Sequence, residues 1–342
     1  MESKKERPVS LLKKMQQPRY QTVSLRPYKM LSTSVHTRLH FLFGALLLQV
    51  GMLLATGSWS ALTVIASSVL ASLIVEASEL FVRRRSFYNW LYALTQGMIV
   101  GFFIPCTYPA VPVFFITLSI LLVSKYMLGN VPNCWVNPVA LTAAVCWLIG
   151  MNLFPAFSLT PEILQAKNPG ALLLQNRAFP LLASDVRLTA LLNEKLFRIF
   201  NVSVPEGFIT LFWDTGASIP AFRFNLLTIL SSIVLIAFDV IRPLIPAVFL
   251  TVYLLLVRLL APFFYGGIPG QGDMLLAMLS SGTLFSAIFL FQWTGTTPMT
   301  STGKVWYGIL AGLSAFLIVG CGLSSAGIVF VVLVVNIISA VI

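Results

Sequence analysis

Charged residues are scarce in this sequence: they make up 10% of its 342 residues, whereas hydrophobic residues make up 58%. Since a soluble globular domain has roughly a quarter charged residues, that class of protein is excluded. Runs of 17 to 21 apolar residues recur along the chain, long enough to cross a hydrocarbon core of about 30 Å. The polar–apolar alternation of a membrane barrel is absent, so the spans must be helices that satisfy their own backbone groups. The predicted fold class is an all-α polytopic membrane protein.

Residues that bind metals or form disulfides are also few. There are two histidines and four cysteines. None of the cysteines shows CxxC spacing, and all lie in or beside apolar segments: Cys106, Cys134, Cys146 and Cys321. Small buried side chains explain them better than a metal or disulfide site does. The segment from Met1 to Arg38 lacks the apolar core of a signal peptide, so we expect a basic cytoplasmic tail there.

The net charge of +11 is unevenly distributed along the chain. Nine of the 22 Lys and Arg residues lie in the first 38 positions, and three more form an Arg triplet at 83–85. This is the pattern of the positive-inside rule, and it favours anionic lipid head groups over nucleic acid as partners. It predicts a multi-pass membrane protein with both termini in the cytoplasm.

Hydropathy predicts ten spans and one long polar interruption. The spans are 39–57, 60–81, 88–105, 110–127, 137–154, 224–241, 243–261, 273–292, 305–320 and 324–342. The predicted organisation is a basic tail (1–38), a first five-helix repeat (39–154), an extracytoplasmic loop (155–223) and a second five-helix repeat (224–342). Within the loop, residues 183–200 have helical periodicity, and Ser184 is the predicted cap.

The two halves resemble each other around their third spans. Span three contains Leu-Thr-Gln-Gly at 94–97 and ends at Ile104-Pro105, and span eight contains Leu-Ser-Ser-Gly at 279–282 and ends near Pro298. Five spans per half would make the repeats inverted, an architecture whose broken helices form binding sites near the membrane midplane. The alternative explanation is that Pro and small residues are simply common in membrane helices.

Residues 213–218, at the end of the long loop, read Trp-Asp-Thr-Gly-Ala-Ser. Two hydroxyl residues flanking Gly-Ala form the acceptor pattern on which some bacterial respiratory subunits carry flavin mononucleotide (FMN) through a phosphoester. The alternative is a glycine-containing turn that caps a helix, with Pro220 near its start.

Four segments, taken in order, resemble the membrane subunits RnfD and NqrB of the Rnf and sodium-pumping NADH:quinone oxidoreductase complexes. They are Ser-Val-His-Thr-Arg at 34–38, span three with its Ile-Pro exit, the Asn- and Pro-rich segment 129–140, and 296–308 with Asn336 beyond it. The resemblance covers the chain from about Ser34 to the carboxy terminus. The length favours RnfD, whereas the long basic tail keeps NqrB open.

The resemblance implies covalent FMN on Ser218, with Asp214, Thr215, Gly216 and Ala217 completing the motif. The chain departs from the family in its Ser acceptor, the position of Asp214 and the lack of a glycine-rich entry to span six. Arg223 would pair with the flavin phosphate, or it is an interfacial side chain that extends to the membrane surface.

A second, non-covalent flavin such as riboflavin, or a quinone, is implied near Asn137; hydrogen bonding between helices is the alternative. The function implied is an RnfD-like subunit, in a bacterial inner membrane, that couples electron transfer, of the ferredoxin or NADH type, to sodium or proton translocation. It would work with flavoprotein and iron–sulfur subunits and have no active site of its own. A solute channel or transporter on the same scaffold is the rival class, since fold alone does not establish function.

Glu76 and Glu79 lie near the cytoplasmic end of span two, close in sequence to Arg83. Intramembrane charges are costly and suggest function. An ion-pair cluster with Arg83 is the first interpretation, and an ion relay is the second.

Overall fold

The computed structural model describes residues 34–82, 89–129, 136–155, 182–200, 206–265, 270, 272–293, 296–320 and 326–339. All regular structure in these segments is helical. The α-helices are α1 (Val35–Ala55), α2 (Trp59–Val82), α3 (Trp90–Phe103), α4 (Ala110–Tyr126), α5 (Pro138–Ile149), α6 (Ala183–Lys195), α7 (Phe208–Trp213), α8 (Asn225–Ala237), α9 (Leu244–Tyr265), α10 (Met274–Ser280), α11 (Thr283–Phe285), α12 (Ser301–Ile318) and α13 (Gly327–Ser339). A π-helical turn, Ser286–Leu290, follows α11 directly.

A helix lies at each of the ten predicted spans. Within the described segments, three stretches are long and apolar enough to cross a membrane by themselves: Val35–Ala55, Trp59–Leu80 and Leu244–Phe264. The fold class, an all-helical polytopic membrane protein, is confirmed. The number of crossings and the inverted repeat stay predictions.

Polar caps fix where several of these helices begin. Ser34 accepts a hydrogen bond from the Thr37 amide at the start of α1. The Thr300 hydroxyl accepts one from the Gly303 amide, 3.0 Å away, at the start of α12. Such side chains satisfy donors that the first turn of a helix leaves unpaired, which costs about 1 kcal/mol when lost.

If successive helices cross the membrane in alternating directions, the end of α1 and the end of α3 should lie on the same side. Contacts between the loops agree with this arrangement. At one end, which we call the motif end, Ser58 after α1 bonds Arg223 before α8, and Cys106 after α3 bonds Ser218. At the opposite end, Glu76 of α2 meets Lys125 of α4.

Small residues let the helices pack closely. A Cβ atom at Gly97 in α3 would lie 2.6 Å from Cα of Val69 in α2, and one at Gly308 in α12 would lie 2.8 Å from Cβ of Val248 in α9. Close approach at small residues is how helices associate in a bilayer, where the lipid supplies no hydrophobic driving force.

Several helices are shorter than the hydrocarbon core is thick, and one predicted span is broken. Helix α3 has 14 residues and is about 21 Å long, and α5, α8 and α13 have 12 or 13 residues. The segment predicted as a continuous span eight is broken at Gly282, whose φ of 67° ends α10 before α11 begins. Such non-helical backbone is tolerated at membrane depth only where protein buries it.

The long loop contains the predicted helix, but the predicted cap is wrong. Helix α6 covers Ala183–Lys195 and a 3-10 turn follows at Phe197–Phe200. The N-cap position is held by Leu182, which provides no side-chain hydrogen bond, and Ser184 lies within the first turn. The neighbouring Asp185 is the residue that ties this segment together, as described below.

Candidate functional site

Residues 214–223, which contain the Thr-Gly-Ala-Ser motif, form a loop closed by an ion pair; we call it the motif loop. Arg223 donates from Nε to Oδ1 of Asp214 at 2.8 Å and from Nη2 to Oδ2 at 2.6 Å. A third hydrogen bond runs from Nη1 to the Ser58 hydroxyl at 2.6 Å. The two charged side chains are 14% and 13% exposed. This bidentate geometry fixes both ends of the loop and ties them to the turn between α1 and α2.

Thr215 closes the loop a second time. Its hydroxyl donates to the Phe222 carbonyl at 2.8 Å, and its amide donates to the Arg223 carbonyl at 3.3 Å. The hydroxyl also accepts from the Ala217 amide, and Gly216 donates to Asp214 Oδ1 with a left-handed φ of 65°. The predicted motif residues therefore do lie together, in one compact turn.

The far side of the motif loop is inserted into the protein core. Ile219, Ala221 and Phe222 are at most 3% exposed. The Ser218 carbonyl accepts a hydrogen bond of 2.8 Å from the Cys106 amide, just after α3. The Phe222 ring fills the space where a Cβ atom of Gly282 would stand. The motif loop is thus wedged between the end of α3 and the break between α10 and α11.

Asp185 of α6 holds the segment that leads into the motif loop. One oxygen accepts from the Thr189 hydroxyl and the Gly207 amide, and the other from the amide and hydroxyl of Thr210. Two of these donors, the Gly207 and Thr210 amides, belong to the start of α7. Burial alone would raise the pKa of Asp185, but hydrogen bonds from Thr210, Gly207 and Thr189 outweigh it and lower that pKa below its ordinary value.

Of the two hydroxyl groups in the motif, the one on Ser218 makes no hydrogen bond to the described residues. Its Oγ is buried and has no hydrogen-bond partner among the described residues, although the residue as a whole is partly exposed. The Thr215 hydroxyl, by contrast, is engaged in closing the loop. A buried hydroxyl without a partner is costly, and Ser218 Oγ is one of seven such side-chain atoms among the described residues. Attachment of FMN at Ser218 fits this hydroxyl only if its side chain turns outward.

Arg223 has a structural task in this arrangement. Three of its five N–H donors point at Asp214 and Ser58, and its guanidinium carbon lies 5.2 Å from the centre of the Phe224 ring. Contact between Arg223 and a flavin phosphate stays a prediction, and the two remaining N–H donors of Arg223 would have to make it.

Asn137 lies apart from the motif loop and joins two helices. Its Oδ1 caps α5 by accepting from the Val139 and Ala140 amides, and its Nδ2 donates to the Leu290 carbonyl at 2.9 Å. Asn336 accepts a hydrogen bond of 3.0 Å from the Tyr307 hydroxyl. Both side chains are at most 1% exposed. The Asn137 contacts match the helix–helix alternative, and a second flavin near it stays a prediction.

The intramembrane carboxylates have a partner that the sequence did not reveal. Lys125 Nζ lies 2.6 Å from Glu76 and 3.7 Å from Glu79. Beside them is a cavity of about 30 Å³, room for about one water molecule, which Ser72 also lines. Arg83, the expected partner, lies outside the described residues. Lys125 could have been found by its place in the last turn of α4, at the same predicted membrane depth.

Among the described residues, no three His, Cys, Asp or Glu side chains come close enough together to hold a metal ion, and Cys106 and Cys146 are free thiols.

Comparison with known proteins gives one clear relationship. No individually curated protein shows significant similarity to the chain. The model of the NQR2, RnfD, RnfE family matches residues 22–342, which includes the helical bundle and the motif loop. Because the match extends over nearly the whole sequence, the chain belongs to the NQR2, RnfD, RnfE family.

Proposed function

We propose that this protein is an electron-carrying membrane subunit of an Rnf-type complex that couples electron transfer, of the ferredoxin or NADH type, to sodium or proton translocation. Its family supplies membrane subunits of ion-translocating redox complexes, which supports the coarse role. The observation that carries the proposal of bound flavin is the Ser218 hydroxyl, which has no hydrogen-bond partner among the described residues and lies on a loop between the end of α3 and the break between α10 and α11. An NqrB-type subunit of the related quinone reductase is the near alternative within the family.

In this proposal Ser218 holds FMN through a phosphoester, and the bound flavin supplies the redox chemistry. The chain supplies position: the Asp214–Arg223 pair and the Thr215 hydrogen bonds fix the loop that carries Ser218. Fixed position matters because electron transfer then does not depend on a binding equilibrium. The Ser218 side chain has to rotate out of its buried place before attachment.

The loop also offers a route for coupling. Ser218 contacts Cys106, just after α3, and Phe222 of the same loop contacts Gly282 at the break before α11; we propose that a change at Ser218 is transmitted to these two helix ends. The Lys125, Glu76 and Glu79 cluster lies at the opposite end of the bundle. We propose that the translocated ion interacts with these charged side chains on its way across the membrane. The alternative is an ion pair with a purely structural role.

The test is covalent flavin in the protein itself. The full chain is co-expressed with a flavin transferase, and fluorescence is read in a denaturing gel. We expect a fluorescent band that disappears in Ser218→Ala and remains in Ser184→Ala, which removes a hydroxyl from the same extracytoplasmic segment. A band that survives Ser218→Ala would refute attachment at that residue.

A cofactor-free scaffold or transporter is the second candidate, and the burial of Ser218 Oγ favours it. If the motif loop only seals the gap between α3 and α11, the wild-type protein carries no flavin. Its stability would then depend on Phe222 and Arg223 but not on the Ser218 hydroxyl. Absence of fluorescence from wild-type protein taken from its native complex would select this candidate.

A further inference from the structure

A polar cavity lies between α2, α3 and α4, next to the ion pair of Lys125 and Glu76. Its volume is about 30 Å³, room for about one water molecule, and a sodium ion stripped of its water shell is no larger. Ser72, Gln96 and Ser124 line it together with the two charged residues. All five lie in spans that the hydropathy pattern places in the membrane. Polar groups gathered at this depth are costly and indicate a function.

Ser72 contributes a hydroxyl that its own helix does not use. The residue is 2% exposed and lines the cavity, and its Oγ has no hydrogen-bond partner among the described residues. Three other serines of α2 donate to the carbonyl three residues earlier, at 2.7 to 2.9 Å: Ser67, Ser68 and Ser78. Such a bond within the helix is common for serine. Because Ser72 does not make it, its oxygen is available to a ligand in the cavity.

The Lys125 ammonium is held at the edge of this cavity as a bound cation would be. Its Nζ lies 2.6 Å from a Glu76 carboxylate oxygen and 3.4 Å from the Val75 carbonyl oxygen. A Glu79 carboxylate oxygen lies 3.7 Å away. Carboxylate and carbonyl oxygens are the ligands that hard cations prefer, and carbonyls coordinate sodium in membrane transporters. A second cation beside the ammonium is repelled in a medium of low dielectric constant, so the two can only alternate.

Lys125 is placed so that its ammonium can leave. It lies in the last turn of α4, and a lysine near a helix end can extend its flexible four-carbon chain to the membrane surface. Glu76 lies six residues before the end of α2, about 9 Å along the axis. When the ammonium withdraws, the Glu76 carboxylate stays buried and needs another positive charge.

We propose that this cavity binds one sodium ion, and that the ion and the Lys125 ammonium occupy the site in turn. A Glu76 carboxylate oxygen, the Ser72 hydroxyl and the Gln96 amide oxygen hold the ion. Lys125 replaces it when it leaves, so the carboxylate is neutralised in both states. The inference rests on the proposed ion coupling and names sodium as the ion, because a proton would neutralise Glu76 without contacting Ser72 or Gln96.

The test measures thermal unfolding of the full-length protein in detergent, with sodium chloride replacing choline chloride at constant ionic strength and pH. A bound ion stabilises the folded state, so the sodium concentration at which Tm begins to rise reports the apparent Kd. Lys125→Gln removes the competing ammonium, and we expect the apparent Kd to fall about tenfold. Adding Glu76→Gln to this variant should abolish the sodium effect.

Ser72→Ala tests a ligand of the ion while it leaves the ion pair intact, so it serves in the wild-type background where Lys125→Gln does not fold. We expect the apparent Kd for sodium to rise about threefold to tenfold, the loss of one ligand. Ser67→Ala is the matched control on the same helix, because the Ser67 hydroxyl donates to the Val64 carbonyl. It should leave the apparent Kd unchanged.

Three results would overturn the proposal: equal Tm in sodium and choline for every variant that folds, equal effects of Ser72→Ala and Ser67→Ala, or a response to pH that sodium does not alter. The measurement requires neither flavin nor electron transfer. A failure of the sodium site and a failure of the flavin-carrier role are therefore observed separately.

Discussion

At the scale of single residues, the Asp214–Arg223 pair does most to hold the candidate site together. The two side chains are only 13% and 14% exposed, and each has the other as its charged partner. We expect Arg223→Gln to lower the free energy of unfolding by roughly 2 kcal/mol, because it leaves the Asp214 carboxylate buried without its partner.

Thermal unfolding in detergent measures this loss. Arg258→Gln is the control, since Arg258 at the same end donates to the Gly272 carbonyl from an exposed position. The double variant with Asp214→Asn should lose less than the sum of the two single changes. Additive losses would show that the pair does not act as a unit.

Gly282 is required for two reasons that a matched variant can separate. Its φ of 67° is strained for any other residue, and the Phe222 ring occupies the place of a Cβ. Gly57 has the same φ but no described atom within 4 Å of its Cβ position. Gly282→Ala should therefore cost roughly 2 kcal/mol more than Gly57→Ala.

Chemical or thermal unfolding of the two alanine variants checks this difference. Phe222→Leu replaces the ring with a smaller side chain. It should recover part of the stability lost in Gly282→Ala and none of that lost in Gly57→Ala. Equal costs at the two glycines would mean that the motif loop does not press against the helix break.

At residue scale, the motif can be predicted from the sequence, but its contacts cannot. Residues 214–218 are expected to lie together because they are adjacent in the chain. Ser58, Cys106 and Gly282 are all distant from Ser218 along the chain, and a single sequence contains no signal that joins them. Ser184 was expected to cap α6 by its type, whereas Asp185 bonds to Gly207 and Thr210, residues well beyond its own helix.

At the scale of elements, α6 and α7 depend on one carboxylate. Asp185 accepts four hydrogen bonds, two of them from amides at the start of α7. In Asp185→Asn an NH₂ group takes the place of one carboxylate oxygen. Because this group cannot accept the hydrogen bonds that the oxygen accepted, we expect α7 to lose roughly 2 kcal/mol of local stability. Hydrogen exchange of residues 206–213 measures it, with the Glu194→Gln variant in α6 as control.

The same carboxylate makes this segment sensitive to acid. Because the pKa of Asp185 is lowered in the folded protein, its stabilising effect is present above its unfolded value of about 3.9. The effect is lost as the pH falls through the lower folded value. The protection factors of the amides at residues 206–213, taken relative to the unfolded chain at the same pH, should be maintained down to about pH 4 and fall below it, a step that Asp185→Asn should abolish. Protection that is unchanged by acid in the wild type would contradict this role.

Sequence patterns predicted the position of the helices well and their interruptions poorly. Apolar runs fix where a helix crosses a bilayer, since every exposed backbone group there must be satisfied. The break at Gly282 was included in a continuous span, because Ser281-Gly282 is an ordinary pair in membrane helices. The approach of Phe222 to Gly282 comes from another part of the chain, so the residues around Gly282 give no sign of it.

At the scale of the whole molecule, covalent flavin on Ser218 requires the motif end to face the outside of the cell. Positive charge in the segment up to Arg38 predicts a cytoplasmic amino terminus, and the grouping of Ser58, Cys106 and Ser218 then puts the motif loop on the other side. In a cysteine-free background, Ser184→Cys should react with a membrane-impermeant maleimide in intact cells. Ser10→Cys, in the basic tail, should react only after permeabilisation, and the reverse pattern would invert the topology.

The most direct test of the proposed function is the intact mass of the native subunit, purified with its partner subunits and without added cofactor. We predict a mass above the 37.6 kDa of the polypeptide by one covalently bound FMN, with the adduct on the peptide that contains Ser218. An unmodified mass in a complex that still transfers electrons would contradict the flavin-carrier role and leave the motif loop as a structural wedge between α3 and α11.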